Sequence, residues 1–147
     1  MKSQRKIDTL HMDFAIRVAK ESYCIRKKVG AILVKDNKRI ISYGYNGTPT
    51  GEDNCCEERD NTIEEKFGIQ YKTKPNVVHA EDNVYRKLLM SPESSAGAVL
   101  YCTLQPCVFC ADLIIESGTK KVIYLDKYKC DLGLIKLLEH NIIVEKY

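Results

Sequence analysis

Apolar residues recur at helical spacing early in the chain, at Ile7, Leu10, Phe14, Ile16, Val18 and Ala19. The spacing predicts an amphipathic helix over about residues 7–22. Val29-Gly30-Ala31-Ile32-Leu33-Val34 is short, apolar and rich in branched side chains, and reads as a buried strand. Asp36-Asn37 is a turn signal, and Arg39-Ile40-Ile41-Ser42-Tyr43 resumes as a second strand, so the pair reads as a hairpin. From Gly44 to about Pro75 the periodicity fades into Gly, Asn, Thr and charged residues. A loop of that length inside a compact domain is usually functional or disordered.

The second half alternates. Residues 79–90 read as a helix ended by Ser91-Pro92, 98–102 as a strand, and 106–117 as a helix that stops at Gly118. Residues 121–125 follow as a strand, 132–140 as a helix whose apolar side chains read as core, and 141–145 as a last short strand. Strands alternating with helices predict an α/β fold with a largely parallel sheet covered on both faces. At 147 residues, with no internal repeat, the chain reads as one domain over 1–147.

Composition narrows the class. A hydrophobic fraction of 44% and a charged fraction of 29% are ordinary for a globular protein. No apolar run is long enough to cross a bilayer. The basic start, Met1-Lys2-Ser3-Gln4-Arg5-Lys6, is not followed by a signal-peptide stretch, so cytoplasmic residence is expected. The net charge of +3 is too small to imply a polynucleotide partner and suits a small anionic substrate. In a reducing compartment the seven cysteines are expected as metal ligands and free thiols rather than disulfides.

The chemistry concentrates in His79-Ala80-Glu81 and Pro106-Cys107-Val108-Phe109-Cys110. Cys107 and Cys110 lie three apart at a predicted helix start, with Pro106 at its entry, so both sulfurs can face one ion. The helix N-terminus favours the thiolate form. His79 opens the preceding predicted helix, and a crossover can bring the two helix starts side by side. Three protein ligands leave the fourth position of a tetrahedral Zn²⁺ open, as in catalytic rather than structural sites. Two thiolates and a neutral imidazole cancel the ion's charge and leave its water less acidified than a three-histidine site would. A carboxylate to take that proton then has a purpose, and Glu81 is placed for it.

At these residues the chain resembles the zinc-dependent cytidine and deoxycytidylate deaminase superfamily, whose signature is this order of His-x-Glu and Pro-Cys-x-x-Cys. The resemblance to the deoxycytidylate (dCMP) deaminases, phage enzymes included, runs over nearly the whole chain. It includes Lys28-Val29-Gly30-Ala31, Gly44-Tyr45-Asn46-Gly47-Thr48-Pro49, Asn54-Cys55-Cys56, His79-Ala80-Glu81-Asp82-Asn83, Thr103-Leu104-Gln105-Pro106-Cys107-Val108-Phe109-Cys110 and Tyr124…Tyr128. It implies a three-layer α-β-α cytidine-deaminase-like fold with a mixed five-stranded sheet. It implies hydrolysis of dCMP to dUMP on Zn²⁺, with His79, Cys107 and Cys110 as ligands and Glu81 as the acid–base. It also implies a homo-oligomer, a hexamer favoured, activated by dCTP and inhibited by dTTP with Mg²⁺. Asn46, Ala80, Tyr128 and Arg26 would meet the substrate, and Gly44, Tyr45, Gly47 and Lys28 the effector.

The residues alone leave other readings open. Asn46-Gly47 reads equally as a turn needing positive φ. The basic run Arg26-Lys27-Lys28 reads as a phosphate holder or as a solvated face. Some phage relatives hold a second zinc at cysteines matching Cys24 and Cys55. Here Val77 and Val78 offer no ligand, and buried or free thiols are the alternative. Cys102 and Cys130 read as packing residues, and His140 as a partner of a helix C-terminus. Two further functions share the zinc motif: a tRNA or polynucleotide adenosine or cytidine deaminase, and a catalytically silent nucleotide-binding zinc protein.

Overall fold

The structure, a computed structural model, describes residues 3–147, with Glu65 as backbone only. Met1 and Lys2 of the basic start lie outside the described residues. Helix α1 spans Gln4–Ala19, and its N-cap Ser3 accepts from the Lys6 N–H. The helix begins ahead of its apolar stripe because the cap, not the stripe, sets the start. Strands β1 (Gly30–Lys35) and β2 (Arg39–Tyr45) form the expected antiparallel hairpin. Asp36 (φ 53°) and Asn37 (φ 58°), the central residues of the turn closed by the Lys38 N–H on the Lys35 carbonyl, both adopt the left-handed region that a primed hairpin turn requires.

The segment expected as loop holds a small antiparallel ribbon, β3 (Glu57–Arg59) and β4 (Tyr71–Thr73), with a single helical turn, α2 (Glu64–Phe67), between them. Three-residue strands that bury little carry no hydrophobic period to read. Then follow α3 (Ala80–Leu88), β5 (Val99–Leu104), α4 (Val108–Glu116), β6 (Lys121–Asp126), α5 (Leu132–Glu139) and β7 (Ile143–Lys146).

The five-stranded sheet runs in the order β2-β1-β5-β6-β7. β1 is antiparallel to both β2 and β5, whereas β5, β6 and β7 are parallel. The sheet is therefore mixed, as the resemblance implies, and not the largely parallel one that the alternation predicts. Alternation reports crossover helices but not the direction in which the leading hairpin docks.

Successive strand residues point to opposite faces, and both faces are covered. Met12 and Ala15 of α1 pack on Ile32, Val34, Val99, Tyr101 and Ile123. On the other face Val84 of α3 and Ala111 and Ile114 of α4 pack on Ala31, Leu33, Leu100, Cys102 and Val122. β1 as far as Val34 and β5 as far as Cys102 are apolar because they are buried from both sides.

α5 corrects one expectation. Leu137 is buried, but Leu132, Ile135 and Leu138 are exposed. The helix lies over the sheet margin, where only a narrow stripe finds a partner. Among the described residues no helix is long and apolar enough to cross a membrane.

Candidate active site

Two helix N-termini meet on one side of the sheet. His79 is the N-cap of α3 and Cys107 the N-cap of α4. Each helix starts one residue after its first donor, so Pro106 precedes the cap rather than opening the helix. His79 Nδ1 lies 3.5 Å from Cys107 Sγ and 3.3 Å from Cys110 Sγ. The three donor atoms form one compact group. Donors on a tetrahedral zinc at its usual bond lengths stand about 3.5–3.8 Å apart, so this donor set fits the ion in identity and spacing.

Glycines make these approaches possible. A Cβ on Gly44 of β2 would stand 2.6 Å from the Ala80 carbonyl oxygen and 2.8 Å from Val84 N. A Cβ on Gly133 would stand 2.3 Å from the Pro106 carbonyl oxygen. The start of α3 therefore lies directly on β2, and α5 directly behind the Pro106-Cys107 turn.

Glu81 is only 4% exposed, and its Oε2 accepts from the Cys110 thiol at 3.5 Å. Burial pushes its carboxyl above the ordinary carboxylate range. The donor group is polarised: the hydrogen bond from Cys110, with His79 assisting, holds the Cys107 thiol down to about 4. Its hydrogen bond to Cys107, together with burial, pushes Cys110 up. The same thiolate raises His79. An incoming cation would displace the protons that these donors hold.

A cleft of about 200 Å³ opens over this group. Its lining includes Asn46, His79, Ala80, Glu81, Cys107 and Tyr128. Of the residues expected to meet substrate, Asn46, Ala80 and Tyr128 line this cleft, while Arg26 lines an adjoining hollow. Asn46 is not a left-handed turn residue, nor is Gly47. Instead the Asn46 side chain accepts the Val29 N–H and donates to the Lys27 carbonyl, each at 2.8 Å, stapling one wall.

The residues expected at the effector site have local roles. Gly44 packs under α3, and the Tyr45 carbonyl accepts from Asn83 Nδ2. Gly47 pairs with Val78, and Lys28 Nζ donates to the Ser22 carbonyl.

The cysteine expectations need correction. Cys24 is joined to Cys56, with Cα atoms 5.1 Å apart, within disulfide reach. Cys55 is exposed and free, its thiol donating to the Glu57 carbonyl. Cys24 and Cys55 therefore do not come together, because adjacent residues point apart and only Cys56 turns inward. Glu57 lies beside the bonded pair, but bonded sulfurs offer no thiolate to a metal. Cys102 is fully buried in β5 as expected. His140 caps α5, with Nδ1 2.9 Å from the Lys136 carbonyl.

Sequence reasoning missed Gln105, Thr73, Val77 and Leu104, which also line the cleft. Gln105 had one readable signal, a polar residue at the end of an apolar strand beside Pro106-Cys107. Thr73 had none.

Residues 5–126 match the family model described as the cytidine and deoxycytidylate deaminase zinc-binding region. The chain is 37% identical over 137 residues to the deoxycytidylate deaminase of Schizosaccharomyces pombe, covering 90% of this chain and 41% of that one. It is 34% identical over 148 residues to the deoxycytidylate deaminase of Enterobacteria phage T4, covering 80% of this chain and 76% of that one. Among solved structures it superposes on the dCMP deaminase of cyanophage S-TIM5 in complex with dCMP and dUMP. That match has a TM-score of 0.87 and 37% identity, and covers 99% of this chain and 100% of that one.

Proposed function

We propose that this chain, which belongs to the cytidine and deoxycytidylate deaminase family, hydrolyses dCMP to dUMP and ammonia, feeding thymidylate synthesis. The observation that carries this reading is the three-donor group at two helix starts, with a buried carboxyl beside it on the floor of a nucleoside-sized cleft. His79, Cys107 and Cys110 would hold a zinc ion, which when bound would supply Lewis-acid activation of water. Glu81 takes a proton from the attacking water and delivers it to N3 of the cytosine ring. It then carries a second proton to the amine leaving C4, so water enters and ammonia departs. The raised proton affinity of the buried Glu81 suits a group that must both accept and return a proton.

The cleft walls orient the substrate. Asn46 and Ala80 contact the nucleoside, Tyr128 and Arg26 the 5′-phosphate. Apolar Val29, Val77 and Leu104 exclude bulk water from the base. The reading extends to a cytoplasmic homo-oligomer, a hexamer favoured, and the exposed Leu132, Ile135 and Leu138 of α5 support assembly. It also extends to activation by dCTP and inhibition by dTTP with Mg²⁺ near residues 44–47.

The test is to incubate the zinc-loaded protein with dCMP, with and without dCTP, and to measure dUMP and ammonia. Equal amounts of the two products are expected. No turnover of dCMP, with inosine forming in tRNA instead, would overturn the reading in favour of a polynucleotide deaminase.

A further inference from the structure

The cleft continues outward into a hollow of about 400 Å³ lined by Arg26, Lys27, Thr73, Leu104, Lys127, Tyr128 and Lys129. Among the described residues, four cationic side chains and no carboxylate line this mouth. None of the four is in an ion pair among the described residues. The cations form two lips: Arg26 and Lys27 on the loop before β1, Lys127 and Lys129 on the loop after β6.

Side chains from elsewhere hold both lips, and on the first Glu57 joins the Asn46 staple at Lys27. Glu57 of β3 accepts the Ile25 N–H at 2.8 Å and the Arg26 N–H at 3.1 Å through its Oε1. These bonds engage the backbone and leave the Arg26 guanidinium free for a ligand. On the other side Gln105 is 1% exposed. Its Nε2 donates to the Cys130 carbonyl at 3.1 Å and to Asp131 Oδ1 at 3.0 Å, and its Oε1 accepts the Tyr128 N–H at 3.3 Å. Its backbone N–H donates to the Asp126 carbonyl at 2.8 Å. A buried amide whose donors and acceptor all engage one loop fixes that loop.

We propose that Gln105 and Glu57 are positioning residues that set the two basic lips at the spacing a 5′-phosphate requires, and so select a nucleoside monophosphate over its nucleoside. This inference rests on the deaminase reading of the same cleft. A phosphate is bound best by charge-assisted donors converging from more than one side. Donors on free loops would lose backbone freedom on binding, whereas pinned loops have already lost it.

The test compares binding of dUMP and of deoxyuridine to the zinc-loaded protein by calorimetry, alongside steady-state turnover of dCMP. The wild-type protein is expected to hold dUMP more tightly than deoxyuridine. Gln105→Met and Glu57→Ala are each expected to weaken dUMP about tenfold while deoxyuridine changes less than about twofold and zinc content holds. Both should raise KM for dCMP more than they lower kcat. Glu57→Gln keeps an acceptor oxygen and should restore dUMP affinity. If Gln105→Met does not fold, Lys127→Ala combined with Lys129→Ala tests the same lip and should show the same selective loss.

Equal loss of dUMP and deoxyuridine, or a fall in kcat at constant KM, would overturn the positioning role. So would a wild-type protein that binds both ligands alike. A protein that prefers dUMP yet does not turn over dCMP would contradict the deaminase reading and leave the positioning role standing.

Discussion

At the floor of the cleft three soft donors and a carboxyl come from the first turns of α3 and α4, seated on β2 and α5 at two glycines. At its mouth four cations sit on two loops, each pinned by a side chain distant in sequence. The floor takes its precision from helix starts packed backbone against backbone. The mouth takes its precision from a few hydrogen-bonding side chains, Glu57 and Asn46 on one lip and Gln105 on the other. Damage to the three donors should therefore remove metal and chemistry together, whereas damage to the mouth should change substrate affinity and leave the metal in place.

The largest effect is expected at the floor. Cys110→Ser should lose bound zinc, measured by atomic absorption, and turnover with it. Chelated wild-type protein should regain activity with added zinc, and the variant should not. Gly44→Ala should cost about 1–3 kcal/mol in a denaturant melt, because the new methyl meets the α3 backbone. It should also weaken zinc, since α3 carries His79. Normal zinc affinity in that variant would break the link between packing and metal.

At the mouth, Asn46→Ala removes two hydrogen bonds that staple residues 27–29. A loss of about 1–2 kcal/mol and a raised KM are expected, with full zinc content. Zinc loss there would erase the distinction between the two regions.

The smallest effect lies far from both. His11 of α1 is buried against Tyr101, its Nδ1 without a partner among the described residues. Burial holds its imidazole below the usual 6.5, opposed by the Asp8 carboxylate. The unfolded chain then takes up this proton more readily than the folded one. Stability from a neutral His11 is complete above about pH 6.5 and declines as the pH falls toward the lower folded value. His11→Phe should flatten that decline in melts across pH 5–8 without altering turnover of dCMP at pH 8.

The difference between floor and mouth also decides what was legible in the sequence. Metal chemistry restricts ligand types and helix geometry restricts their spacing, so His79, Glu81, Cys107 and Cys110 stand out locally. Most strands and helices are equally readable because a covered sheet needs apolar runs. The direction of β1 is not readable, because it depends on where a hairpin docks and not on which residues it contains. The β3–β4 ribbon buries too little to leave a pattern. Gln105 and Glu57 are ordinary polar residues whose roles lie in bonds to Tyr128 and Ile25, and no local pattern encodes such partners. The Cys24–Cys56 pair escaped for the same reason, since adjacent cysteines give no sign of which one turns inward.

The most direct test of the central claim is zinc content and dCMP turnover measured together on Glu81→Gln. The substitution keeps shape and removes the carboxylate that moves protons. Full zinc occupancy with turnover lowered by about 10²–10⁴-fold is expected. Full occupancy with turnover unchanged would contradict the assignment of Glu81 and the mechanism built on it.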